Sequence, residues 1–234
     1  MKRIGIFGGT SPESTAEYYR RITRQYVERF GDHGYPEILI HSVSFQQYID
    51  WMQSGDWKPL AEGIRQGLAI LARGGAEIGL LATNTFHRVF DEVAASSPVP
   101  LISLLDVVAD QLTRLGSART ALLGTRFTMS SSFYPDRLAR KGIEVLVPEA
   151  PDQDTLNRII FEELSRGVVS ETSKAEAHRI VEGLADRGAN SVILGCTELP
   201  LLIGPDDLSV PSLNTTHLHA DAILDAALDS ANLS

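Results

Sequence analysis

An α/β fold built from two pseudo-symmetric parallel-sheet lobes is what this sequence predicts, and three observations predict it. Short apolar runs alternate with longer segments of helical period, the pattern of parallel strands joined by crossover helices. Two strand-and-turn motifs recur about half a chain apart. The length of 234 residues suits one large domain or two of about 115 residues each.

The elements follow in order. Ile4-Gly5-Ile6-Phe7 reads as a buried strand, followed by Gly8-Gly9 and then Thr10-Ser11-Pro12-Glu13. Thr10 as N-cap with Glu13 three residues on is a capping-box pattern, and Pro12 is tolerated in a first turn. A helix to about Phe30 is therefore predicted. Strand 37–43, helix 59–73, strand 78–82, helix 85–94 and strand 99–103 complete the first half. The second half repeats the alternation with helix 106–115, strand 120–123, helix 129–141, strand 143–147, helices 153–165 and 173–186, and strand 191–194.

The recurrence is specific in position. Gly8 after the first strand matches Gly124 in Ala121-Leu122-Leu123-Gly124-Thr125, 116 positions on. Gly79-Leu80-Leu81-Ala82-Thr83-Asn84-Thr85 matches Val192-Ile193-Leu194-Gly195-Cys196-Thr197-Glu198, with Thr83 and Cys196 113 positions apart. One near-constant offset predicts a first lobe of residues 1–100 plus 214–234 and a second of 101–213. Ligands of open α/β sheets bind beyond the carboxyl ends of the strands. Facing lobes would bring Thr83 and Cys196 to opposite sides of one cleft.

Composition narrows the function classes. Hydrophobic residues make up 43% and charged residues 22%, enough apolar content to offset chain entropy. A net charge of −9 fits a soluble cytoplasmic protein and opposes binding to nucleic acid or an anionic membrane surface. A single cysteine excludes an intrachain disulfide and a Cys-rich zinc site. No run approaches the roughly 18 apolar residues of a membrane span.

Cys196 is the first candidate. A lone cysteine is commonly an inert buried small residue. This one ends an apolar strand and precedes a helix-start pattern, Thr197-Glu198-Leu199-Pro200, where the N–H groups of a helix N-terminus would lower its pKa. Thr83-Asn84-Thr85 reads either as ordinary N-capping or as a cluster of amides and hydroxyls that would hold a carboxylate. His87 lies four residues after Thr83, within reach of the same helix end. Arg166 closes a helical segment, either as a favourable C-terminal charge or as a cation reaching the cleft. Gly5-x-x-Gly8-Gly9 does not match the dinucleotide fingerprint, and no phosphate-loop lysine motif is present. His217-x-His219 without other ligands is a weak metal signal.

At these residues the sequence resembles the aspartate/glutamate racemase family of cofactor-independent amino-acid racemases. The resemblance rests on Gly8-Gly9-Thr10-Ser11-Pro12-Glu13-Ser14-Thr15, Thr83-Asn84-Thr85-Phe86-His87 and Gly195-Cys196-Thr197-Glu198-Leu199. Leu123-Gly124-Thr125-Arg126-Phe127-Thr128-Met129 and Pro211-Ser212-Leu213-Asn214-Thr215-Thr216 add support. It implies two lobes with pseudo-twofold symmetry, a site between them, a homodimer, a small acidic amino-acid substrate, and neither pyridoxal phosphate nor metal.

The resemblance also implies roles. Typical members use two cysteines, one per lobe, as acid/base groups on opposite faces of the substrate. Cys196 matches the second, and Thr83 stands where the first is expected. Asn84 and Thr85 match substrate-carboxylate contacts, Thr197 the turn beside the second base, and Arg166 a basic residue that binds a carboxylate. Gln53 corresponds to a polar contact in the loop after the second strand. Ser11, Thr125 and Thr128 fall in the matched turns as further substrate contacts. Threonine is too weak an acid to replace a thiol directly. Either Thr83 relays a proton through His87 or water, or the site runs a one-base reaction, as in single-cysteine decarboxylases or isomerases, or it only binds an amino acid or dicarboxylate.

Overall fold

A computed structural model describes residues 1–229. The chain forms two compact units, Met1–Leu104 with the chain from Thr216 on, and Leu105–Thr215. Each carries its own parallel sheet, so the α/β class and the two parallel sheets are as the sequence predicts.

In the first unit, β1 (Ile4–Gly8) lies between β2 (Ile38–Ser42) and β3 (Ile78–Leu81), with Ile6 opposite both Ile40 and Leu80. Helices α1 (Pro12–Phe30), α2 (Phe45–Ser54) and α3 (Trp57–Arg73) connect these strands, and α4 (Phe90–Ala94) follows β3 through a 3₁₀ turn, Thr85–Val89. Every residue of β1 is buried, as expected of a central parallel strand covered on both faces. A single bridge, Gly79 to Leu101, occupies the next sheet position beyond β3.

The second unit opens with α5 (Leu104–Arg114), which begins at the junction, and builds a sheet from β4 (Arg119–Leu123), β5 (Glu144–Leu146), β6 (Val192–Leu194) and β7 (Ser212–Asn214), ordered β5-β4-β6-β7. Around it run α6 (Arg126–Ser130), α7 (Phe133–Ala139), α8 (Ala150–Arg158) and α9 (Glu171–Asp186). Taken within each unit, the order is second, first, third, fourth. Helix α10 (Thr215–Leu228) returns to the first unit. Its Ala220, Ile223 and Leu224 join Ile4, Ile6, Tyr18 and Ile22 in one core cluster. Phe7, Leu60, Ile64, Leu68 and Leu81 form a second, and Leu123, Leu156, Val181 and Leu194 belong to the core of the other unit. Each Leu, Ile, Val or Phe among them contributes about 1.5–3 kcal/mol on burial.

Several expectations need correction. Ser11, not Thr10, caps α1, its Oγ accepting from the Ser14 N–H at 3.2 Å; Pro12 at the first helical position fixes that frame. The segment expected as a loop around Gln53 is helix α2. Its apolar residues Phe45, Tyr48, Ile49 and Met52 stand at i, i+3, i+4 and i+7, and Gly55 at φ +73° ends it. Strand 99–103 is reduced to the Leu101 bridge because Pro98 and Pro100 remove N–H donors. Helix 129–141 is two helices: Ser131 is extended, and the ring of Pro135 could not sit over a helical Ser131 carbonyl. Helix 153–165 passes from α8 into a π-helical turn, Ile159–Glu163, and a 3₁₀ turn, Leu164–Arg166. Among the described residues no helix is long and apolar enough to cross a membrane.

Candidate active site

The two matched turns leave the sheet at the same station of their units. After β3, the Ala82 N–H donates to the Phe7 carbonyl at 2.9 Å, and Thr83 follows. After β6, the Gly195 N–H donates to the Leu123 carbonyl at 2.7 Å, and Cys196 follows. Phe7 and Leu123 are themselves equivalent in the sequence repeat. Thr83 and Cys196 are both half-buried.

In the first unit the turn is tied down from several sides. The Ser14 hydroxyl at the start of α1 donates to the Ala82 carbonyl at 3.1 Å. Close packing beneath Ser11 requires glycine: a Cβ on Gly8 would meet Thr15 at 2.5 Å, and one on Gly9, at φ +92°, would meet the Val43 backbone at 2.4 Å. Asn84 is buried, and Thr85 opens a 3₁₀ turn rather than the expected α-helix. His87 is buried with both ring nitrogens engaged. Its Nε2 lies 3.0 Å from the Leu104 N–H, which can only donate. The neutral ring therefore carries its proton on Nδ1 and donates it to the Thr83 carbonyl at 2.9 Å. That arrangement fixes the Thr83 backbone and engages both ring nitrogens, so of the alternatives left open for Thr83 the geometry disfavours a relay through His87.

In the second unit, Cys196 is followed by a 3₁₀ turn of three residues, Leu199–Leu201. Pro200 is compatible with a first turn, but Pro205 disfavours helix at Gly204 and so ends the segment. The helix N-terminus expected to lower the thiol pKa is thus missing. Instead the Cys196 Sγ donates to Glu198 Oε2 at 2.9 Å, and the Thr197 hydroxyl donates to the same oxygen at 2.8 Å. Burial, then the Glu198 carboxylate, push the thiol well above its ordinary range, against the backbone N–H groups of Glu198 and Thr197. Cys196 rests as a thiol. Glu198 is the residue the sequence reading passed over; its signal was a carboxylate two positions after the one cysteine.

The other candidates divide between the units. Ser11, Thr83, Asn84 and Thr85 belong to the first, where Gln53 is exposed on α2 rather than in a loop. Thr125, Thr128, Cys196, Thr197 and Arg166 belong to the second. Thr128 is 1% exposed, within 3.2 Å of the Thr125 hydroxyl, and would meet a Cβ on Gly124 or Gly195. It supports the turn from below, and Thr125 caps α6. Arg166 is exposed at the end of the π-helical and 3₁₀ segment, a local irregularity that often accompanies function. His217 bonds Glu17, while His219 is buried between Tyr18 and the Ile102 carbonyl. No group of three or more potential metal ligands gathers among the described residues.

Residues 7–223 match the sequence profile of the Asp/Glu/hydantoin racemase family. The broad specificity amino-acid racemase RacX of Bacillus subtilis is 23% identical over 216 residues, 91% of this chain and 92% of that protein. Two solved structures are similar throughout. A Yersinia pestis protein provisionally assigned as an Asp/Glu racemase has 39% identity and a TM-score of 0.92, covering 97% of this chain and 100% of its own. An aspartate racemase homologue from Pyrococcus horikoshii has 38% identity and a TM-score of 0.88, covering 97% and 99%.

Proposed function

The chain belongs to the Asp/Glu/hydantoin racemase family, and from that premise we propose that it interconverts L- and D-aspartate, glutamate or both by removing the α-proton on one face and returning a proton on the other. The observation that carries this reading is the equivalence of the two turns, each presenting its side chain one residue past the same inter-strand hydrogen bond. Cys196 serves one face. Thr83 assists exchange on the other through its hydroxyl and water. Asn84 and Thr85 offer donors to the α-carboxylate, and Thr197 shapes the turn beside Cys196 with its hydroxyl on Glu198. Ser11 and Thr125 stand in the matched turns, and exposed Arg166 offers charge to the side-chain carboxylate. On a chain of net charge −9, such local donors offset long-range repulsion of an acidic substrate. The reading includes a cytoplasmic homodimer and calls on neither pyridoxal phosphate nor metal.

Unequal groups on the two faces do not alter the equilibrium. Enantiomers have equal energy, so kcat/KM is equal in both directions, while kcat and KM differ individually. Progress curves started from pure L- and pure D-substrate, followed by chiral chromatography, are expected to converge on a racemic mixture with different initial kcat values. Curves that settle elsewhere would overturn the proposal. The presence of threonine where a second thiol is expected favours one further reading, a single-base decarboxylase or isomerase, which would release carbon dioxide or exchange the proton without inversion.

A further inference from the structure

We infer that Glu198 is a positioning residue that takes up the Cys196 proton, so that thiol and carboxylate work as one proton-sharing pair. The inference deepens the reading of Cys196 as an acid/base group and rests on it. The Sγ–H points at Glu198 Oε2 over 2.9 Å, and the Thr197 hydroxyl holds that same oxygen at 2.8 Å. Glu198 is the charged side chain acting on the sulfur; the N–H groups of Thr197 and Glu198 oppose it. The sulfur otherwise packs against the apolar cluster of its unit.

That environment creates a problem for proton abstraction, because a base must first lose its own proton. Loss to bulk water would leave a thiolate beside a carboxylate, two anions at hydrogen-bond distance. Transfer to Oε2 avoids the juxtaposition. The S–H bond breaks as an O–H bond forms, and the negative charge moves from carboxylate to sulfur. The pair carries the same charge before and after. The thiolate so formed takes the α-proton on its own face while Glu198 keeps the thiol's former proton. Water at Thr83 returns a proton on the other face, and the thiol–carboxylic acid pair resets by releasing its extra proton to water.

The test uses the single thiol as its own reporter. Iodoacetamide alkylation of the whole protein would be followed against pH for wild type, Glu198→Gln and Glu198→Asp, beside α-proton exchange in D2O. Glutamine accepts a hydrogen bond but no proton. Its variant is expected to lower the alkylation midpoint, because a negative neighbour is gone, and yet to lose about a hundredfold in exchange. Aspartate keeps the carboxylate and is expected to recover part of the exchange. A midpoint that does not move in Glu198→Gln overturns the inference, as does exchange that stays at the wild-type rate. If wild type exchanges no amino-acid proton, the functional reading fails, and the alkylation midpoint still decides whether thiol and carboxylate are coupled.

Discussion

The turn after β3 and the turn after β6 share an inter-strand anchor and differ in chemistry. Both hang one residue beyond the same inter-strand bond. In the first unit that position holds Thr83, whose carbonyl is fixed by His87; in the second it holds Cys196, whose sulfur is held by Glu198. One turn is fixed through its backbone and presents a hydroxyl that does not ionise in the working range. The other is fixed through its side chain and presents a thiol that burial and Glu198 hold protonated at rest. A repeated scaffold thus supplies equivalent positions without equivalent reactivity, and acid/base strength is set by the immediate neighbours of each turn.

The comparison breaks most sharply at the sulfur. Cys196→Ala is expected to reduce exchange and racemisation by about 10⁴-fold, measured with each enantiomer of aspartate and glutamate. The residue just before each reactive position differs next. The first unit accommodates Ala82, whereas a Cβ on Gly195 would stand 2.9 Å from the Leu123 carbonyl. Gly195→Ala should therefore destabilise the protein by about 1–3 kcal/mol, read by urea denaturation, and Ala82→Gly should cost less. Arg166→Ala tests whether the second unit supplies the side-chain charge contact. KM should rise about tenfold for dicarboxylic amino acids and stay level for neutral ones; equal losses would remove Arg166 from recognition.

The smallest effect concerns the buried imidazoles, which both lie in the first unit. Burial pushes His219 down to about 3. The unfolded imidazole takes a proton near pH 6.5 that the folded ring refuses. The associated stability is full above that pH and is lost as pH falls toward 3, at about 1 kcal/mol per unit between pH 6 and 5. Thermal melts across that range should show the slope, and His219→Gln should flatten it.

The alternation of elements, the repeat and the equivalent placement of the turns at Thr83 and Cys196 were legible in the sequence, because these depend on local patterning and on residues repeated at one offset. The α2 helix was also legible, in the spacing of Phe45, Tyr48, Ile49 and Met52. The state of Cys196 was not. Its thiol pKa depends on whether a helix follows and on where Glu198 points, and Pro205 limits the segment to a single 3₁₀ turn. His87 was likewise visible as a neighbour of Thr83, but its second partner, the Leu104 amide, lies 17 positions away. Thr128 looked like a ligand contact because its hydroxyl sits in a matched motif; only packing beneath Gly124 and Gly195 reveals its burial.

The central claim is that two unequal groups act on opposite faces of one α-carbon. Metal-free and cofactor-free protein, with Cys196→Ala and Thr83→Ala alongside, would be incubated with pure L- and D-aspartate and glutamate in D2O, following the α-proton signal and the enantiomer ratio together. Exchange accompanied by inversion is expected, abolished in Cys196→Ala and slowed in Thr83→Ala. Exchange without inversion would leave one competent base and contradict that claim.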